Sequence, residues 1–168
     1  MHYELVAGTS SIVVEADSTV GTIVWTVPEP LGWFDVKRVG DGLDIDAGIS
    51  GRLEIGLDRF SSGNAVYDAE LRKRVDARQY PMAVVELVKV FDRGDLHYGA
   101  NATLEFHGVS RPVAGAIDVE LADDGAIRVT GQERIDIRDF EIPTPSMLML
   151  KIYPDVRVHL FLEGRPSA

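Results

Sequence analysis

The chain has 168 residues, 45% of them hydrophobic and 26% charged, which excludes wholesale disorder and suits one domain, residues 1–168, with a real core. Lys and Arg number 17 against 27 Asp and Glu, a net charge of −10, so the average surface repels phosphate backbones and nucleic acid is not an expected partner. There is no cysteine, which removes disulfides, thiolate metal sites and thiol nucleophiles together.

The start, Met1-His2-Tyr3-Glu4-Leu5, has no basic segment and no apolar stretch. The longest apolar runs, Met82 to Val85 and Met147 to Leu150, are four residues each. No secretory signal or membrane-spanning helix is therefore expected, and the reading is of a cytoplasmic protein. Short strand-like segments follow around Tyr3 to Val6, Ile12 to Ala16 and Thr22 to Val27. Next, Pro28-Glu29-Pro30-Leu31-Gly32 leads into Trp33-Phe34 in what reads as a loop. These aromatics, with Trp25, either fill the core or line the mouth of a cavity.

From Leu43 the signal is period two. Leu43, Ile45, Ala47, Ile49, Gly51, Leu53, Ile55 and Leu57 share one parity, with Asp44, Asp46, Ser50, Arg52, Glu54 and Asp58 on the other. One dry and one wet face indicate strand, and a run of this length predicts a bend or break near Gly48 to Gly51. The pattern then switches. Asn64 precedes Ala65 to Val75, where Tyr67, Leu71 and Val75 share a helical face. Asp68 and Glu70 come early and Arg72, Lys73 and Arg74 late, so one helix capped by Asn64 is expected, ending before Tyr80-Pro81.

Alternation returns in Leu96 to Phe106, Val113 to Leu121, Ile127 to Ile137 and Val156 to Leu162, punctuated by turn signals at Arg93-Gly94-Asp95, His107-Gly108 and Asp123-Asp124-Gly125. The tail from Gly164 is expected to fray. About eight strands joined by tight turns predict an all-β antiparallel meander with one short helix. Closing it into a barrel removes exposed edges and encloses packed side chains or one small ligand. A two-sheet sandwich with a solid core is the alternative.

Catalytic motifs are thin. Gly40-Asp41-Gly42 leads into a strand and lacks a phosphate-cradling third glycine. Asp41, Asp44 and Asp46 read as solvating carboxylates around a hairpin turn. No two of the four histidines have metal-ligand spacing within one element, and neither metal nor cofactor is expected. His107 stands at the end of an aromatic-bearing strand, where its ring either fastens the glycine turn or touches a ligand. Glu133 falls on the apolar parity of its run. A bulge that flips the register would send it to solvent, whereas an inward Glu133 needs a partner such as a buried arginine or a polar ligand atom. Arg72, Lys73, Arg74 and Arg78 form the one dense basic cluster, a helix end satisfying its own dipole or a landing site for an anionic headgroup.

Several pieces, in order, resemble the YceI-like family of lipocalin-shaped, polyisoprenoid-binding proteins. They are Ser62-Gly63, Asp68-Ala69-Glu70-Leu71, Tyr80-Pro81, the stretch Ala102-Thr103-Leu104-Glu105-Phe106-His107-Gly108-Val109-Ser110-Arg111-Pro112-Val113, and Phe140 followed by Ile142. The resemblance spans roughly Tyr3 to Leu162 and implies an elongated barrel with an apolar tunnel for an isoprenoid chain. Glu70 stands where the family tends to have histidine, the usual Phe-Phe pair after it is replaced around Val75-Asp76-Ala77, and Glu141 stands in place of a glycine.

The function expected from these readings is non-catalytic carriage or sequestration of a hydrophobic, isoprenoid-like lipid such as a polyprenyl chain or quinone. Trp25, Ile55, Tyr98, Leu104, Phe106 and His107 would contact it, with Arg78 at its headgroup. A solidly packed barrel serving as a protein-interaction or stress-related scaffold is the alternative. An enzyme using His107 with Asp68 or Glu133 as acid and base comes third. A homodimer is left open.

Overall fold

The computed structural model describes residues 1–142, 146–147 and 150–167. The apolar run Met147 to Leu150 includes residues outside that set, as does Ala168. Four strands open the chain: β1 (His2–Leu5), β2 (Ser11–Ser18), β3 (Gly21–Pro28) and β4 (Leu31–Asp35). A small hairpin of β5 (Arg38–Val39) and β6 (Gly42–Leu43) precedes β7 (Ser50–Gly56), and the helix α1 (Ala65–Arg74) follows. Then come β8 (Met82–Asp92), β9 (His97–Phe106), β10 (Val109–Leu121), β11 (Ile127–Asp136), the short β12 (Ser146–Met147) and the long β13 (Leu150–Pro166).

A 3-10 turn at Ala7–Thr9 separates β1 from β2, yet both pair with β13, so they form one bent arm. β3 lies on β2 as β4 lies on β1, making a second bent arm. Each arm counted once, the sheet is an eight-stranded antiparallel ring that runs β13, β1, β4, β7, β8, β9, β10, β11 and back to β13. Where β3 leaves the ring, Thr26 and Ser61 exchange backbone hydrogen bonds of 2.9 and 3.1 Å and hold the arm to the segment after β7. Closure satisfies ladder groups that an open sheet would leave bare.

Two segments differ from their sequence readings. Trp33-Phe34 lies in a strand, because β4 is paired on both edges, by β1 and by β7. The tail is held as far as Pro166, which lies opposite Tyr3. The break in the long alternating run falls where expected, with Gly48 at φ +84°. Its first half does not continue the strand: Leu43, Ile45 and Ile49 fold over one end of the barrel and pack on Val36, Val90, Tyr98 and Ile127. That end is plugged.

The other end carries α1. Asn64 Oδ1 accepts from the amides of Val66 and Tyr67, satisfying two of the free donors of the first turn. Buried Asp68 accepts from the Ser62 amide at 2.9 Å and the Ser62 hydroxyl at 2.6 Å, which fixes the approach to the helix. Tyr67 and Leu71 then pack toward Trp25 and Ile23. Among the described residues no helix is long and apolar enough to cross a membrane.

Candidate functional site

Inward positions alternate along every strand, so the width of the interior is set by what each strand presents there. β7, β8, β2 and β13 contribute Leu53, Ile55, Val85, Leu87, Ile12, Val14, Val158 and Leu160. β9, β10 and β11 contribute the small Ala100, Ala102, Gly115 and Gly131 beside the larger Leu104, Phe106, Val113, Ile117 and Ile135. The small positions among them leave a cavity of about 360 Å³ between the plugged end and α1. That lies within the roughly 300–1,000 Å³ of small-molecule sites.

Carbon dominates the lining. Polar side chains border it at Arg52, Gln132, Glu133 and Arg74. Arg52 alternates to the outer face, where it bonds Glu54 at 2.9 Å and also Glu86. The hydrogen bond to Glu54 is the main reason its guanidinium is held above its ordinary pKa. Gln132 pairs with outward-facing His159. By strand parity, that leaves Glu133 as a carboxylate facing inward in the barrel wall, and Arg74, an ion-pair distance of 3.9 Å from Glu70, at the α1 end.

The bulge that would have sent Glu133 to solvent is not there. The β11–β13 register runs unbroken from Ile127↔Gly164 to Asp136↔Asp155, with Glu133 opposite Val158. Glu133 is half-buried and borders the cavity. Its Oε1 accepts from the Arg134 amide at 2.8 Å, and among the described residues no cation lies within ion-pair distance of it. Of the two alternatives the inward parity holds, with a backbone amide rather than a buried arginine as the partner.

Of the residues named from the sequence, Trp25, Ile55, Leu104 and Phe106 border the cavity together. Trp25 Nε1 is buried without a hydrogen-bond partner among the described residues. Tyr98 lies in the plugged end, where its hydroxyl accepts from the Leu43 amide at 3.2 Å. His107 and Gly108 both have positive φ in a two-residue hairpin, and the His107 Nδ1 lies 3.0 Å from the Phe140 carbonyl oxygen. The ring thereby fastens the β9–β10 turn to the 3-10 turn Ile137–Phe140. Arg78 is exposed in the turn after α1, and neighbouring Arg74 borders the cavity instead. His107, Asp68 and Glu133 have separate hydrogen-bond partners and share none. Among the described residues no cluster of metal-ligating side chains occurs.

The fold and its interior define the class: a closed, lipocalin-shaped antiparallel barrel around an apolar cavity. The chain belongs to the YceI-like domain family, whose model matches residues 3–164. It is 28% identical over 138 residues to a UPF0312 protein of Vibrio campbellii, a match covering 76% of this chain and 66% of that protein, just under two thirds of its length. Among solved structures it is similar to BcnA of Burkholderia cenocepacia (TM-score 0.80, 16% identity, 95% of this chain and 98% of that one). A polyisoprenoid binding domain from Saccharophagus degradans implicated in plant cell wall breakdown aligns with TM-score 0.79 at 18% identity, covering 98% of both chains.

Proposed function

We propose that this protein is a non-catalytic binder of long apolar chains, an isoprenoid-like lipid held inside the barrel for carriage or sequestration. The observation that carries this reading is the cavity of about 360 Å³ with an almost wholly hydrocarbon lining, inside a closed ring of strands. A solidly packed scaffold would have no such space. The polyisoprenoid binding named for the Saccharophagus domain supports the same ligand class. The separate partners of His107, Asp68 and Glu133 favour binding over acid–base chemistry, which needs such groups within reach of one reacting atom.

Trp25 borders the cavity and serves as an internal reporter. Titration of tryptophan emission with geraniol, farnesol and geranylgeraniol tests the reading. Each CH₂-sized group withdrawn from water is worth about 0.8 kcal/mol, so one isoprene unit should tighten binding by about tenfold or more while space remains. A plateau at the longer chains marks the filled cavity. Saturation that ignores chain length, or none at all, overturns the proposal.

A further inference from the structure

β10 and β11 do not stay together. Their ladder runs from Leu121↔Ile127 only as far as Ala116↔Gln132. Beyond it Val109–Gly115 pairs only with β9, and Glu133–Asp136 only with β13. The wall splits at the point where Glu133 faces Gly115 across the gap. A Cβ added to Gly115 would stand 2.9 Å from Glu133 Oε2, so a side chain there would make the carboxylate shift from its present place.

The split is thin as well as polar. A depression of about 300 Å³ on the outer side is bordered by Phe91, Arg93 and Asn101, and its floor is Ala100, Ala114–Ala116 and Glu133. Those same floor residues border the interior cavity. Glu133 thus belongs to both spaces, set into the side of the barrel rather than at either end.

Building on the apolar-chain reading above, we infer that Glu133 is the headgroup site, selecting chains whose polar end donates hydrogen bonds, an alcohol or an amine, over chains that end in an anion. A carboxylate accepts and does not donate when ionised; on its cavity side the lining is hydrocarbon, and Arg93 and Asn101 border only the outer depression. A hydroxyl or ammonium placed at the split meets Glu133 Oε2 while its tail lies toward α1. A carboxylate or phosphate there meets a like charge instead. An anionic end would instead meet Arg93 at the outer depression or Arg74 at the α1 end, and that is the competing outcome.

Competitive displacement of a bound fluorescent fatty-acid probe at fixed neutral pH tests this with farnesylamine, farnesol, farnesoic acid and farnesene, the last lacking a headgroup. The expected wild-type order is amine, then alcohol, then farnesene, with the acid weakest. Glu133→Gln should cut the amine's advantage over the acid by about tenfold or more, in keeping with loss of a hydrogen bond to a charged group. Gly115→Ala, which keeps the charge but crowds Oε2, should cut it too, and thermal melting of both variants checks that each is folded. Equal binding of all four ligands, an acid preference, or an order that both folded variants leave unchanged overturns the inference while the apolar-chain reading stands. Failure of farnesene and every headgroup variant to bind would bring down both.

Discussion

Asp17 shows how single side chains on the outer wall are tuned. Its oxygens accept from both terminal nitrogens of Arg157, at 3.0 and 3.1 Å, and from the Thr22 hydroxyl at 2.8 Å. The Arg157 hydrogen bonds, more than any other cause, hold its pKa down to about 2. A carboxyl depressed in the folded state stabilises the fold above its ordinary pKa, and that contribution is lost as pH falls through the folded value. An NMR titration should therefore place the Asp17 midpoint near 2, and Arg157→Gln should return it toward the ordinary range. With the protection gone, acid unfolding of the variant should begin at a higher pH; a midpoint that Arg157→Gln leaves unmoved would refute the assignment. Charges at such positions were visible in the sequence, but their pairing across β2 and β13 was not. The same holds for Gly164, whose missing Cβ admits the Phe34 ring from the opposite end of the chain; a Cβ there would lie 2.4 Å from it. Glu133 is the sharper case, because its inward parity was legible while the glycine at which a side chain would displace it stands on another strand.

Period two reports faces, not element ends. On β7 the alternation carries straight into the structure: Leu53 and Ile55 are buried, while Arg52 and Glu54 bond each other outside. Ile55→Asp would therefore place an unpaired carboxylate in the hydrocarbon lining and should cost several kcal/mol in denaturant unfolding, on the order of the price of burying an unmatched polar group. Glu54→Leu, one position along, should change stability by less than about 1 kcal/mol. Equal effects would show that the register is wrong. β8, a strand that only the resemblance at Tyr80-Pro81 implied, escaped the period-two signal because a register shift between Leu87 and Lys89 breaks its parity midway and turns Val88 out, 64% exposed. β4 was hidden by Pro30 and Gly32, which announce a loop, although partners on both edges make it a strand. The run from Leu43 misleads in the opposite way, since its first half alternates for packing over the barrel end rather than for a ladder.

For the whole molecule, the number of one-faced strands called for a barrel or a sandwich, and the ring of pairings through β13 decides for the barrel. The cavity was expected only through the family resemblance and not from the residues themselves, because it is a difference between the summed volumes of side chains on distant strands. Ala102 is one of the small residues that border it, and a larger residue there separates the two readings of the barrel. If the space persists in solution, Ala102→Leu puts its added carbons into it. Fully burying a leucine side chain is worth roughly 1.5–3 kcal/mol relative to leaving it exposed, so the melting temperature should hold or rise. Farnesol binding should weaken by about tenfold or more in the same protein, because the leucine occupies the chain's place. If the interior instead closes up into a packed scaffold, the leucine overfills it and should cost about 1–3 kcal/mol. A stability gain coupled to loss of ligand thus identifies a container, and destabilisation of a protein that never bound farnesol identifies a solid barrel.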